Sequence, residues 1–101
     1  MTTSTHDIND VETITATFKN AADVVTDPTT VTFVMREPDG IETPYVYLTD
    51  AELVRDSEGV FHVDWPFTKA GRHHARWKGT GAVAEAGESE YYVKRPRVVA
   101  T

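Results

Sequence analysis

Residues 59–79 read GVFHVDWPFTKAGRHHARWKG. Phe61, Val63 and Trp65 alternate along the first half, and His73, Ala75 and Trp77 along the second. Pro66 breaks the first strand, and Thr68-Lys69-Ala70-Gly71 makes a corner before the next. Side chains point alternately to the two faces of a strand. Both sets can therefore turn into one shared core, with Trp65 and Trp77 expected at its centre.

Working outward, VETITATF (residues 11–18) places Ile14, Ala16 and Phe18 on one face and three threonines on the other, the pattern of a half-buried antiparallel strand. A loop follows over residues 19–30, closed by Pro28. VTFVMR (residues 31–36) turns Val31, Phe33 and Met35 inward and ends in Glu37-Pro38-Asp39-Gly40, the clearest hairpin signal in the chain. The return strand, IETPYVYL, contains Pro44, which lacks the N–H a central strand must donate and so marks a sheet edge.

Residues 49–52 read as a connection to a short strand over 53–55, and Asp56-Ser57-Glu58-Gly59 as a turn. Downstream, residues 79–87 form a small-residue loop. The last strand, ESEYYVK (residues 88–94), puts Ser89, Tyr91 and Val93 on one face. The expected organisation is a flexible arm over 1–10, an antiparallel β-sandwich of about seven strands over 11–94, and a C-terminal arm over 95–101 with no evident strand partner. The expected core is Ile14, Phe18, Val31, Phe33, Phe61, Val63, Trp65, Ala75 and Trp77.

At 101 residues the chain is one domain, and without cysteine it must be stabilised by packing rather than disulfides. No stretch approaches the roughly 20 apolar residues that cross a bilayer, and MTTSTHDIND lacks the basic and apolar runs of a secretory signal. The net charge of −6 is unevenly spread, with 13 acids and 3 bases over residues 1–68 but 3 acids and 7 bases over 69–101. An acidic and a basic side would suit contacts between copies or with protein partners. The overall acidity argues against nucleic acid.

The chemistry in the sequence is thin. His62 and His74 share outward parity, with Asp64 beside His62, but no HxH or HxxH spacing supports a metal site. Asp56, Ser57 and His62 lack the nucleophile elbow and oxyanion motif of a triad. Gly79-Thr80-Gly81 is not a phosphate loop, and the acids Asp39, Glu42, Asp50 and Glu52 lack the ligand rhythm of a calcium loop. Tyr45, Tyr47, Tyr91 and Tyr92 are the residues a carbohydrate-binding face would use.

Gly71-Arg72-His73-His74-Ala75-Arg76-Trp77 resembles the sixth strand of an immunoglobulin-like domain. His73 stands in the aromatic position and Ala75 in the position cysteine holds in antibody domains. The disulfide and the corner tyrosine of such domains are both missing here.

Nearly the whole chain is similar to small proteins encoded among the virion structural genes of tailed bacteriophages and prophages. The strongest marks are Asp27-Pro28-Thr29-Thr30-Val31, Arg55-Asp56-Ser57-Glu58-Gly59-Val60 and Trp77-Lys78-Gly79-Thr80-Gly81. The resemblance implies an immunoglobulin-like structural module of the head, the head–tail connection or the tail, made in the bacterial cytoplasm and carried in the virion. Its partners would be capsid, portal or tail subunits, and copies of itself. It implies no enzyme, cofactor, small-molecule substrate, nucleic acid or membrane. The alternative is a carbohydrate-binding or adhesion module on the particle surface. The expected contact residues are Arg72, Arg76 and Lys78 as an outward row, Lys94, Arg95 and Arg97 leading into the C-terminal arm, and Pro44 on the edge strand.

Overall fold

The alternation over residues 59–79 becomes two strands that belong to different sheets. The structure, a computed structural model, describes residues 3–81 and 86–94. These form eight strands and no helix: β1 (Thr3–Asp7), β2 (Val11–Thr17), β3 (Val31–Arg36), β4 (Glu42–Val46), β5 (Leu53–Ser57), β6 (Val60–Pro66), β7 (Gly71–Gly79) and β8 (Ala86–Lys94). The large sheet has the order β1-β8-β7-β3-β4 and the small sheet β2-β6-β5. All pairs are antiparallel except β1 with β8, which run parallel.

The inward residues of the two sheets share one apolar core, which includes every expected core position. Both tryptophans belong to it, and Phe33 contacts each of them. Phe33 is fully buried and packs against Trp77 at 4.9 Å and Trp65 at 6.3 Å between ring centroids. Phe67 is also fully buried. It follows the strand-breaking Pro66 and plugs the corner where the chain leaves the small sheet for the large one.

Residues 3–7, expected within a flexible arm, are β1, which is why there are eight strands rather than about seven. This segment offers no apolar stripe, and its pairing comes from the backbone. Thr3 to Asp7 lie in register with Glu90 to Lys94. His6 takes the inward place, stacking on Phe67 at 5.1 Å and lying 5.7 Å from Tyr91. The turn after β1 is tied to the corner as well, since Asn9 N–H donates to the Phe67 carbonyl (2.7 Å) and Phe67 N–H to that of Asp10 (2.9 Å).

The Glu37–Gly40 hairpin forms as read, with Gly40 at φ 87° and its N–H donating to the Glu37 carbonyl at 2.9 Å. Pro44 lies on β4, at the edge of the large sheet. Tyr47 N–H donates to the Val31 carbonyl, so odd-numbered peptides of β4 face β3 and even-numbered ones face outward. Of the outward positions, Pro44 has no N–H, and the Val46 N–H is taken by Asp50 Oδ2 at 2.8 Å. The edge is blunted against strand addition.

The three sequence marks of the phage resemblance meet at one end of the molecule. Asp27 accepts from Arg55 Nη2 (2.8 Å) and Nε (3.2 Å) and from Gly59 N–H (2.7 Å). Thr29 N–H donates to the Thr80 carbonyl and Thr80 N–H to that of Thr30. Gly59 sits at φ 73°, and a Cβ there would lie 2.9 Å from the Phe18 carbonyl oxygen and the Thr26 nitrogen. Only glycine fits that turn without strain. The marks are thus a structural clamp.

Candidate interaction surface

On the outer face of the large sheet, two-residue alternation sets out four side chains of β7: Arg72, His74, Arg76 and Lys78. The register then fixes their neighbours. Arg72 lies beside Tyr92, His74 between Glu90 and Arg36, Arg76 between Glu88 and Val34, and Lys78 beside Thr32. One step further, Val34 faces Pro44 and Arg36 faces Glu42. Pro44 therefore shares this face with the cationic row, as does the exposed Lys94 at the end of β8. Arg95 and Arg97 lie outside the described residues.

The charges on this face are incompletely matched. Arg72 Nη1 is 3.7 Å from Glu90, and His74 Nε2 is 3.7 Å from Glu88. Arg36, Arg76, Lys78 and Lys94 have no ion-pair partner among the described residues. Arg36 was not singled out in the sequence because only the β3–β7 register brings it beside His74. With Arg72, His74, Glu37 and Glu90 it lines an open depression of about 370 Å³ under the β3–β4 turn. Two guanidinium groups at such a depression suit a carboxylate from a partner.

The outer face of the small sheet is self-contained. His62 Nδ1–H donates to Asp56 (2.7 Å to Oδ1), and its Nε2 faces Asp64 at 3.9 Å. Thr13 Oγ1 donates to Asp64 at 2.6 Å. Both imidazole nitrogens face carboxylates, and no hydrogen bond joins His62 to Ser57 among the described residues. His62 and His74 sit on β6 and β7, which belong to different sheets, so they cannot share a metal ion. No cluster of three metal-ligating side chains occurs among the described residues.

The tyrosines do not make an exposed row. Tyr91 is buried, Tyr45 and Tyr47 pack on the core, and Tyr92 alone is exposed. Tyr45 stacks on Phe33 at 6.3 Å, and Tyr47 meets Phe61 edge-on at 5.1 Å. A stacking platform for sugar rings is therefore not assembled on them.

Two groups near the ends of the core have shifted acidities. Burial pushes the His73 imidazole below its ordinary value, while its Nδ1–H donates to the Gly71 carbonyl at 3.3 Å. The Arg55 hydrogen bonds, then that from Gly59, hold the Asp27 carboxyl below the usual range. Neither touches the basic face. Comparison of the chain with models of known protein families finds no match, and comparison with curated proteins finds none either.

Proposed function

We propose that this chain is an immunoglobulin-like β-sandwich serving as a non-enzymatic structural protein of a tailed-phage particle. It docks neighbouring protein subunits through the outer face of the large sheet. The observation that carries this reading is the set of cations without an ion-pair partner among the described residues, Arg36, Arg76, Lys78 and Lys94, gathered with Pro44 on one face of an otherwise acidic molecule. Such a face suits an acidic surface on a partner subunit, steering encounter and fixing orientation.

The sheet orders support the immunoglobulin-like assignment. β2, β6 and β5 correspond to strands B, E and D, and β8, β7, β3 and β4 to G, F, C and C′. β1 then takes the place of a first strand carried over to G. Ala75 on β7 falls at the cysteine position of strand F and is buried, so apolar packing replaces the disulfide. The virion setting is taken from the resemblance read in the sequence alone.

The test is light scattering of the protein alone and mixed with capsid, portal and tail subunits at low salt. A complex with one of them is expected, weakened by Arg76→Glu with Lys78→Glu. A chain that binds none of these subunits, or binds equally well after charge reversal, would sink this reading.

A further inference from the structure

A second opening lies on the side of the molecule, away from the basic face. There the free edge of β2 and the first residues of β8 flank a cavity of about 190 Å³, lined by Thr15, Thr17, Trp77, Gly87 and Ser89 among others. Three features of this groove are incomplete. Phe18 N–H donates to the Gly59 carbonyl, on the β6 side. Alternation therefore turns the peptide groups of Thr13, Thr15 and Thr17 to the free edge. Gly87 lies opposite Trp77 in the β7–β8 ladder, and a Cβ added there would meet nothing within 4 Å among the described residues. The buried indole Nε1 of Trp77 has no hydrogen-bond partner among the described residues, and an orphan donor of this kind is costly.

We propose that this groove receives residues 95–101 of a second copy of the chain, added as a strand on the free edge of β2. The segment reads RPRVVAT. Val98 and Val99 are β-branched residues suited to a strand. An aliphatic side chain would enter the space above Trp77 that Gly87 leaves bare, and a carbonyl of the added strand would accept from the indole. Backbone pairing would supply affinity and the apolar side chain register, as in strand addition generally.

The span of residues 95–101 excludes the groove of their own copy. They start after Lys94, which is paired with Asp7 at the far end of β8. Gly87 is seven residues back along β8, about 23 Å away at the rise of a strand. Seven fully extended residues span about 23–25 Å, so residues 95–101, which would also have to reverse direction, could not pair along that groove in their own copy. An arm from a second copy meets no such limit. Donation from each copy to the next is a heterologous contact, which closes into a ring or continues as a chain.

The proposal uses none of the cations of the basic face, so it stands or falls separately from the docking reading. Its test compares the full chain with a chain ending at Lys94 by light scattering, with the synthetic peptide RPRVVAT as the probe. The full chain should be oligomeric and the shortened one monomeric. The peptide should bind the shortened chain one to one, with a shift in tryptophan emission, and Gly87→Leu should abolish that binding by filling the groove. An oligomer that survives removal of 95–101 overturns the proposal, as does a peptide that does not bind. A monomeric full chain whose tryptophan emission moves on truncation overturns it too, by assigning the arm to its own groove.

Discussion

The two ends of the molecule are closed by different physics. At the end where β6 passes to β7, closure is aromatic. Phe67 lies between His6, His73 and Tyr91, with ring centroids 5.0–5.5 Å away. At the opposite end closure is polar, with Asp27 gathering Arg55 and the Gly59 peptide, and the 29–30 and 80 peptides bonding across. The aromatic end depends on volume, which solvent cannot replace. The polar end depends on charge and on a glycine turn, which acid or a methyl group can disrupt.

Substitutions at each end should separate these contributions. The largest effect is expected from Phe67→Ala, about 3–5 kcal/mol of stability by denaturant titration, because it empties a fully buried site. Hydrogen exchange should show β1 loosened more than β3 in this variant; equal loosening would mean that Phe67 does not anchor β1. At the polar end, Gly59→Val should cost roughly 2–3 kcal/mol, from a side chain forced into a left-handed turn against backbone. A variant as stable as the parent would show that the turn can relax.

Acid should act on the two ends in separate windows. The folded-state acidity of Asp27 is below its ordinary value of 3.8, so its contribution is present above that pH and lost as pH falls through and below it. Asp27→Asn should lower stability at neutral pH and converge with the parent in acid; curves that stay parallel to low pH would contradict this. His73 is likewise depressed from 6.5 by burial. The unfolded chain takes up its proton first, and stability falls as pH drops below about 6.5. His73→Phe should abolish that limb while changing stability at pH 8 by less than about 1 kcal/mol, because the ring volume is kept.

The smallest effect on the fold belongs to the face between the ends. Arg76→Glu with Lys78→Glu should shift stability by less than about 0.5 kcal/mol, since neither side chain has an ion-pair partner to lose among the described residues. A larger loss by thermal melting would make this row part of the fold rather than a surface for partners.

Much of this was legible in residue order, and the gaps have physical causes. Alternation located β6, β7 and the core because large apolar side chains at every second position have one sensible destination. Glu37-Pro38-Asp39-Gly40 announced its hairpin because proline and glycine restrict the backbone directly. β1 was hidden because its inward residue is a histidine and its partner residues lie 87 positions later. Phe67 was overlooked because it follows a strand-ending proline, where alternation gives no parity. On the basic face, parity set Arg72, Arg76 and Lys78 outward, but Arg36 joined them only through strand pairing. The groove over Trp77 depends on which edges of two sheets end up side by side, and no local pattern records that.

The parallel pairing of β1 with β8 has a mechanical consequence. These are the first and last strands among the described residues, in register over Thr3–Asp7 and Glu90–Lys94. Tension applied between the two ends of the chain pulls them in opposite directions along their length. The interstrand bonds are then loaded together in shear instead of opening one by one like a zip. A protein held by both its ends would in this way resist extension first at the seam where those ends meet, and the core would stay shielded until that seam gave way.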